Sequence, residues 1–398
     1  MSTPDNDVHW DPYDTALVAD PYPVYRRLRE EKPLYYNEEH DFYAVSRFDD
    51  CERGLPDWRT FPSSRGAILE LIKSGVEIPP GTLIFEDPPV HDIHRKLLMR
   101  VFTQRRIAAL EPRVREFTRR VLDPLVGAGR FDLVTEVADQ VPMRVLGMLL
   151  GIPETDQETI RDSADTSLRT EAGGKMDLRG GAVLSNETFV EYIAWRRKNP
   201  SDDVMTELIN AEFVDEHGDR RTLTSAEILT YLTVVAGAGN ETTGRLIGWT
   251  GSTLARHPGQ LAEVAKDPAL VPAVVEEVLR LEPPGPFIGR YVNSDTEFHG
   301  QTVPEGSAIL FIVASANRDP RRFADAESFD IHRPAGQRLT FGHGVHYCLG
   351  AALARLEGRV VTEELLERFP AWDVDWDQAK LARTSTVRGW ETLPLVLA

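Results

Sequence analysis

The run Phe341-Gly342-His343-Gly344-Val345-His346-Tyr347-Cys348-Leu349-Gly350 constrains this chain more than any other stretch of it. It sets a cysteine in a glycine-rich loop directly before a helix-forming segment, Ala351, Ala352, Leu353, Ala354 and Leu356. A thiolate there sits at the positive end of the helix dipole, which is expected to lower its pKa and keep it ionised. Gly342 and Gly344 are expected to let backbone N–H groups crowd toward the sulfur, and Gly350 to let a flat group approach the helix start. Two plainer readings compete. A lone cysteine is most often a small buried hydrophobe, but packing does not explain three flanking glycines. A zinc site needs more ligands, and the only other cysteine is Cys51, with no Cys-x-x-Cys or His-x-x-x-His pair beside Cys348.

With 398 residues, length alone leaves one or two domains open. Two cysteines far apart predict a reducing compartment without a disulfide framework. The first twenty residues are polar and acidic, unlike a signal peptide. The apolar stretches Tyr231–Ala238 and Ala308–Ala316 are too short to span a bilayer. A cytoplasmic protein without membrane contact is expected. The net charge of −18 argues against a nucleic-acid partner. Against that trend, residues 91–120 hold Arg95, Lys96, Arg100, Arg105, Arg106, Arg113, Arg115, Arg119 and Arg120 against three acids. Such a run is either a solvated helix face or a docking face for an acidic protein.

The pattern is largely helical from about 92 to 212. Residues 61–86 and 172–182 interrupt it with glycines (and, in the first, prolines and apolar side chains), the composition of a functional lid or of a surface excursion. Thr224 and Glu227 form a capping box, and nothing stops the helix they open before His257-Pro258, about 48 Å later. That helix carries Gly237, Gly239, Gly244, Gly248 and Gly251, which a buried helix tolerates only where something comes close. A helix over 271–281 follows, then a strand over 288–292 and a hairpin of 296–303 with 307–313 about Pro304-Glu305-Gly306.

The pattern Phe-Gly-x-Gly-x-His-x-Cys-x-Gly resembles the cysteine-ligand loop of the cytochrome P-450 family of haem-thiolate monooxygenases, and the likeness runs from about Asp20 to the C-terminus. It implies that fold: mainly α with a small β part, a single domain over 1–398 with a short polar extension at about 1–19. The haem, iron protoporphyrin IX (haem b), would lie between the long central helix and the cysteine loop. Cys348 would be the metal ligand, pushing electron density onto the iron, with Phe341 and Gly342 beside it. In Ala238-Gly239-Asn240-Glu241-Thr242-Thr243 the resemblance makes Glu241 and Thr242 the catalytic acid–alcohol pair that handles protons over the haem. Thr242 can also bond the carbonyl four residues back. Glu277-x-x-Arg280, uninformative alone, becomes the buried pair that braces the meander through Arg333.

Two haem propionates need cationic or hydrogen-bonding partners. Family position suggests His91 and Arg95 in Asp87-Pro88-Pro89-Val90-His91-Asp92-Ile93-His94-Arg95, with Arg290 and His346; His94 reads as a bystander on a solvated face. Val292 replaces the usual alanine two positions after the strand arginine. Pocket positions are Ile84, Phe85, Val235, Ala238, Phe287, Ile288, Gly289 and Val387. The expected activity is O2- and NAD(P)H-dependent hydroxylation of a small apolar substrate (steroid, terpenoid, fatty acid or aromatic). No Gly-x-Gly-x-x-Gly follows a strand, so electrons should come from a separate ferredoxin and its reductase, to a monomer. A peroxide-driven hydroxylase would lack the acid–alcohol pair; a haem-binding sensor or carrier would need no proton path.

Overall fold

The computed structural model describes residues 7–76, 78, 81–152, 187–384 and 386–397. The segment 172–182 lies outside the described residues. The helices that build the site are α1 (Val90–Met99), α2 (Gln104–Leu122), α3 (Val141–Leu150), α4 (Ser225–Arg256), α5 (Val271–Leu281) and α6 (Ala351–Arg368). They bury Val145, Leu146, Leu246, Ile247, Val274, Val278, Val360 and Val361 in one core. None of the described helices is long and apolar enough to cross a membrane.

Helix α4 runs 32 residues because both ends are defined. Thr224 Oγ1 accepts from the Glu227 N–H at 3.2 Å, the Glu227 carboxylate accepts from the Thr224 N–H at 2.7 Å, and His257-Pro258 stops the helix. Gly244, Gly248 and Gly251 admit neighbouring protein, while Gly239 borders the cavity described below. A Cβ on Gly244 would lie 3.1 Å from the Ala138 carbonyl, and one on Gly251 would lie 2.2 Å from a Leu133 methyl, so α4 packs directly on the π-helical turn Val134–Ala138.

Strands β1 (Leu34–Asn37), β2 (Phe42–Val45), β3 (Ile288–Tyr291), β4 (Thr296–Phe298), β5 (Gln301–Val303) and β6 (Ala308–Phe311) follow. The main sheet has the order β1-β2-β6-β3, with β2 and β6 parallel and the outer pairs antiparallel. This corrects the expected hairpin. β4 pairs with β5 around His299-Gly300, both at positive φ, while Pro304-Glu305-Gly306 only links β5 to β6. Ala308–Phe311 is buried at every residue, so it needs a place inside a sheet, not on a ribbon. In the polar stretch ahead of the helix Tyr22–Glu31, Trp10 is buried, with its ring edge-on to Tyr25, Phe42 and Phe287.

Two charge clusters brace the frame. Glu277 and Arg280 form a bidentate pair at 2.7 and 2.9 Å, both fully buried. Arg280 also donates to the carbonyls of Asn317, Ala326 and Ser328, and Arg333 donates to Glu277 at 2.8 Å. Between α2 and α6, the buried Glu364 carboxylate accepts from Arg115, Arg119 and Arg368. Arg359 pairs with Glu111, Arg106 with Glu207 and Arg120 with Glu116. Much of the basic run therefore serves the fold. Lys96, Arg100, Arg105 and Arg113 are exposed and have no ion pair among the described residues.

Candidate active site

A cavity of about 390 Å³ lies between α4 and the cysteine loop. Val234, Val235, Ala238, Gly239 and Thr242 of α4 form one wall; Phe341, Gly342, His346 and Cys348 form the other. Gly342 and Gly344 take φ of 73° and 75°, and a Cβ on Gly344 would sit 2.6 Å from Pro56 Cα. Both glycines therefore turn the loop, and Gly344 lets it pack on Pro56. The N–H groups that act on the sulfur belong to Gly350 and Ala351. Burial pushes the Cys348 thiol up and outweighs those N–H groups and the Arg95 and Arg355 guanidiniums, which pull it down. The helix dipole alone does not decide its ionisation, contrary to the expectation from sequence.

The polar rim beside the thiol leaves ring nitrogens unpartnered among the described residues. The His91 and His346 rings stand 4.3 Å apart, and the Nε2 atoms of both are buried without a hydrogen bond among the described residues. Burial, then the positive charges of Arg290, His91 and Arg95, pulls His346 down to about 3. Burial also lowers His91, and pulls Arg290 to about 10, offset only in part by Asp87. Arg290 donates to its neighbour's carbonyl, Gly289 O, at 2.8 Å, and Arg95 donates to Tyr347 O. Neither arginine has an ion pair among the described residues. Apolar walls, a soft ligand at one face and cations with bare imidazoles at one edge fit haem, a flat macrocycle with two carboxylates.

The acid–alcohol pair divides. Thr242 lines the cavity and its hydroxyl donates to Ala238 O at 2.8 Å. Glu241 does not line it: its carboxylate accepts from Arg245 at 2.9 Å, and Arg245 also donates to Trp390 O. Thr243 lines the wall instead.

Of the expected pocket residues, Ile84, Val235, Ala238 and Ile288 line the cavity, whereas Phe85, Phe287, Gly289 and Val387 do not. Alternation along β3 explains part of this: Ile288 and Arg290 face the cavity, while Gly289 turns to the other side, with its N–H on Ala67 O at 2.8 Å. Phe287 packs on Trp10, and with Val387 it edges a separate small recess. Phe85 is buried, as are Leu69, Leu71, Ile72 and Leu83 in the same 61–86 stretch, where Ala67, Leu83 and Ile84 close one side of the cavity.

Sequence reasoning missed three residues. Glu357, with a carboxyl pushed up to about 8 by burial, lines the cavity in a stripe with Gly350, Leu353 and Ala354, a helical spacing that was readable. Arg245 stands four residues after Glu241, the spacing of an ion pair. His94 is no bystander: it is buried, with Nδ1 2.7 Å from a Glu86 carboxylate oxygen.

Comparison with known proteins agrees with this geometry. The cytochrome P450 family model matches residues 184–381. Cytochrome P450 123 of Mycobacterium tuberculosis is 39% identical over 391 residues, covering 97% of this chain and 96% of the relative. Cytochrome P450 107B1 of Saccharopolyspora erythraea is 33% identical, covering 96% of each chain. The structure of cytochrome P450 CYP109Q5 from Chondromyces apiculatus superposes with a TM-score of 0.87 at 33% identity over 98% of both chains. A cysteine-tipped apolar cavity under a long helix, in a chain this similar end to end, makes the protein a member of the cytochrome P450 family, a monooxygenase that binds haem b.

Proposed function

We propose that the enzyme hydroxylates a small apolar organic molecule with O2 and NAD(P)H, the electrons arriving through a separate ferredoxin and its reductase. One observation carries this reading: the apolar cavity ends at the Cys348 thiol on one side and at the Thr242 hydroxyl on the other. Cys348 would ligate the iron, with Phe341 and Gly342 framing it. His91, Arg95, Arg290 and His346 would hold the propionates, each supplying a donor that lacks a carboxylate partner or a bare imidazole nitrogen. Bound there, haem supplies the oxygen-activating chemistry.

The chain's own residues bind, exclude water and move protons. Val234, Val235, Ala238 and Ile288 would hold the apolar substrate and keep the cavity dry. Thr242 holds a proton at Oγ1, parked on Ala238 O and available to swing into the cavity. Glu241 would carry protons from solvent to Thr242. Its carboxylate must leave Arg245 to do so, which makes the ion pair a gate. The exposed Lys96, Arg100, Arg105 and Arg113 would attract an acidic ferredoxin, speeding encounter more than tightening the complex. Two free cysteines suit a reducing cytoplasm, and the same reading takes 1–398 as one domain working as a monomer.

The test is the carbon monoxide complex of the reduced haem protein, which should show the strongly red-shifted Soret band of thiolate ligation, lost in Cys348→Ala. Turnover with labelled O2 should place one oxygen atom in the product. A band that persists in Cys348→Ala refutes the ligand, and reductant use without labelled product refutes the monooxygenation of the substrate tested.

A further inference from the structure

We infer that the cavity has a second, polar end, formed by Tyr231 with His94 behind it, and that this end selects an elongated apolar alcohol whose hydroxyl group lies remote from the carbon oxidised. The inference rests on the functional reading above, which it sharpens by naming a substrate class.

Tyr231 lines the cavity from α4, yet it is 1% exposed and its hydroxyl has no hydrogen-bond partner among the described residues. Native proteins rarely bury a hydroxyl unpaired, so such an atom asks for a ligand or a water. Burial pushes this phenol up, which keeps it a donor at every ordinary pH. The His94 ring packs edge-on to Tyr231 at 5.7 Å. Its Nδ1 lies 2.7 and 2.9 Å from the two carboxylate oxygens of Glu86, which also accepts from the Gly81 N–H at 2.7 Å. The Glu86 carboxylate accepts from the imidazole at Nδ1, and in the tautomer that this bond selects Nε2 is an acceptor. That Nε2 is also buried without a partner among the described residues.

The two orphans thus comprise one donor and one acceptor. A hydroxyl group answers both. An alkane answers neither, and a carboxylate offers only acceptors and would lie close to the Glu86 charge. Position completes the argument. Tyr231 precedes Thr242 by eleven residues, close to three helical turns, so both face the same side about 16 Å apart. Between them the lining residues Val234, Val235, Ala238 and Gly239 are apolar.

The experiment uses the haem-loaded full chain. Binding of 1-dodecanol, 1-methoxydodecane, dodecanoic acid and dodecane to wild type and to Tyr231→Phe is followed by calorimetry and by the Soret spin-state shift. The alcohol should bind wild type about tenfold tighter than the alkane, with the ether between them. Tyr231→Phe should shrink that preference by about three- to tenfold and leave dodecane unchanged. If the variant fails to fold, the alcohol–ether–alkane order on wild type decides alone. Equal affinity for alcohol and alkane, a preference that survives Tyr231→Phe, or a stronger preference for the acid overturns the inference. Loss of the thiolate-type carbon monoxide band would instead overturn the functional reading, whatever the ligand series shows.

Discussion

The bracing clusters and the cavity wall treat buried polar groups in opposite ways. Beneath α5 each nitrogen of Arg280 donates, to Glu277 or to a meander carbonyl, and behind α6 Glu364 satisfies three arginines. On the wall, His346 and Tyr231 each bury an atom with no partner among the described residues, as does His91 behind the His346 ring. Folding explains the first set completely. The second set borders the space the cavity leaves for a ligand, so at these two places the contrast tells strut from site.

The contrast breaks if both regions respond alike. Glu277→Ala should cost about 3–5 kcal/mol by leaving Arg280 charged and alone, read as a collapse of the urea midpoint. Tyr231→Phe, at an unpaired hydroxyl, should leave that midpoint within about 1 kcal/mol of wild type. Next comes Glu357, whose folded pKa is raised. The folded chain then keeps a proton that the unfolded chain releases, so stability is present at low pH and is lost as pH rises from the ordinary carboxyl range to about 8. Between pH 6 and 8 the loss should be about 1.4 kcal/mol per unit, and Glu357→Gln should flatten that slope in pH-dependent melts.

The third effect concerns coupling. Thr242→Ala should keep substrate binding and NADH use while diverting electrons to hydrogen peroxide, and Glu241→Gln should slow turnover about tenfold or more. Product-to-peroxide ratios check both; unchanged ratios and rates remove the proton role. The smallest effect is at the surface. Charge reversal at Lys96, Arg100 and Arg105 should slow reduction by ferredoxin several-fold at low salt and not at high salt. Arg106→Glu tests the opposite class, since its partner is Glu207 in the same chain.

What the sequence disclosed followed the range of the interaction. The long helix was legible to the residue because its cap and its stop are local, as was 271–281. Local spacing also placed Cys348 at a helix start. It did not reveal which way a side chain turns: Glu241 goes to Arg245, and Phe287 goes to Trp10, 277 positions away along the chain. The hairpin was misplaced because a Pro-Glu-Gly turn signal says nothing about which distant strand will claim Ala308–Phe311. Lysines and arginines in 91–120 looked alike until tertiary contact divided them into struts and free charges.

Arg245 holds Glu241 with one end of its guanidinium and the Trp390 carbonyl with the other. The acid is therefore on a leash whose anchor is the short strand Trp390–Thr392, not the helix alone. Gly389 is where the slack is set, since a methyl group there would press on Arg245 Cδ at 2.4 Å. On the proposed role of Glu241, a single methyl added at the far end of the chain would retime proton delivery without changing the shape of the substrate cavity.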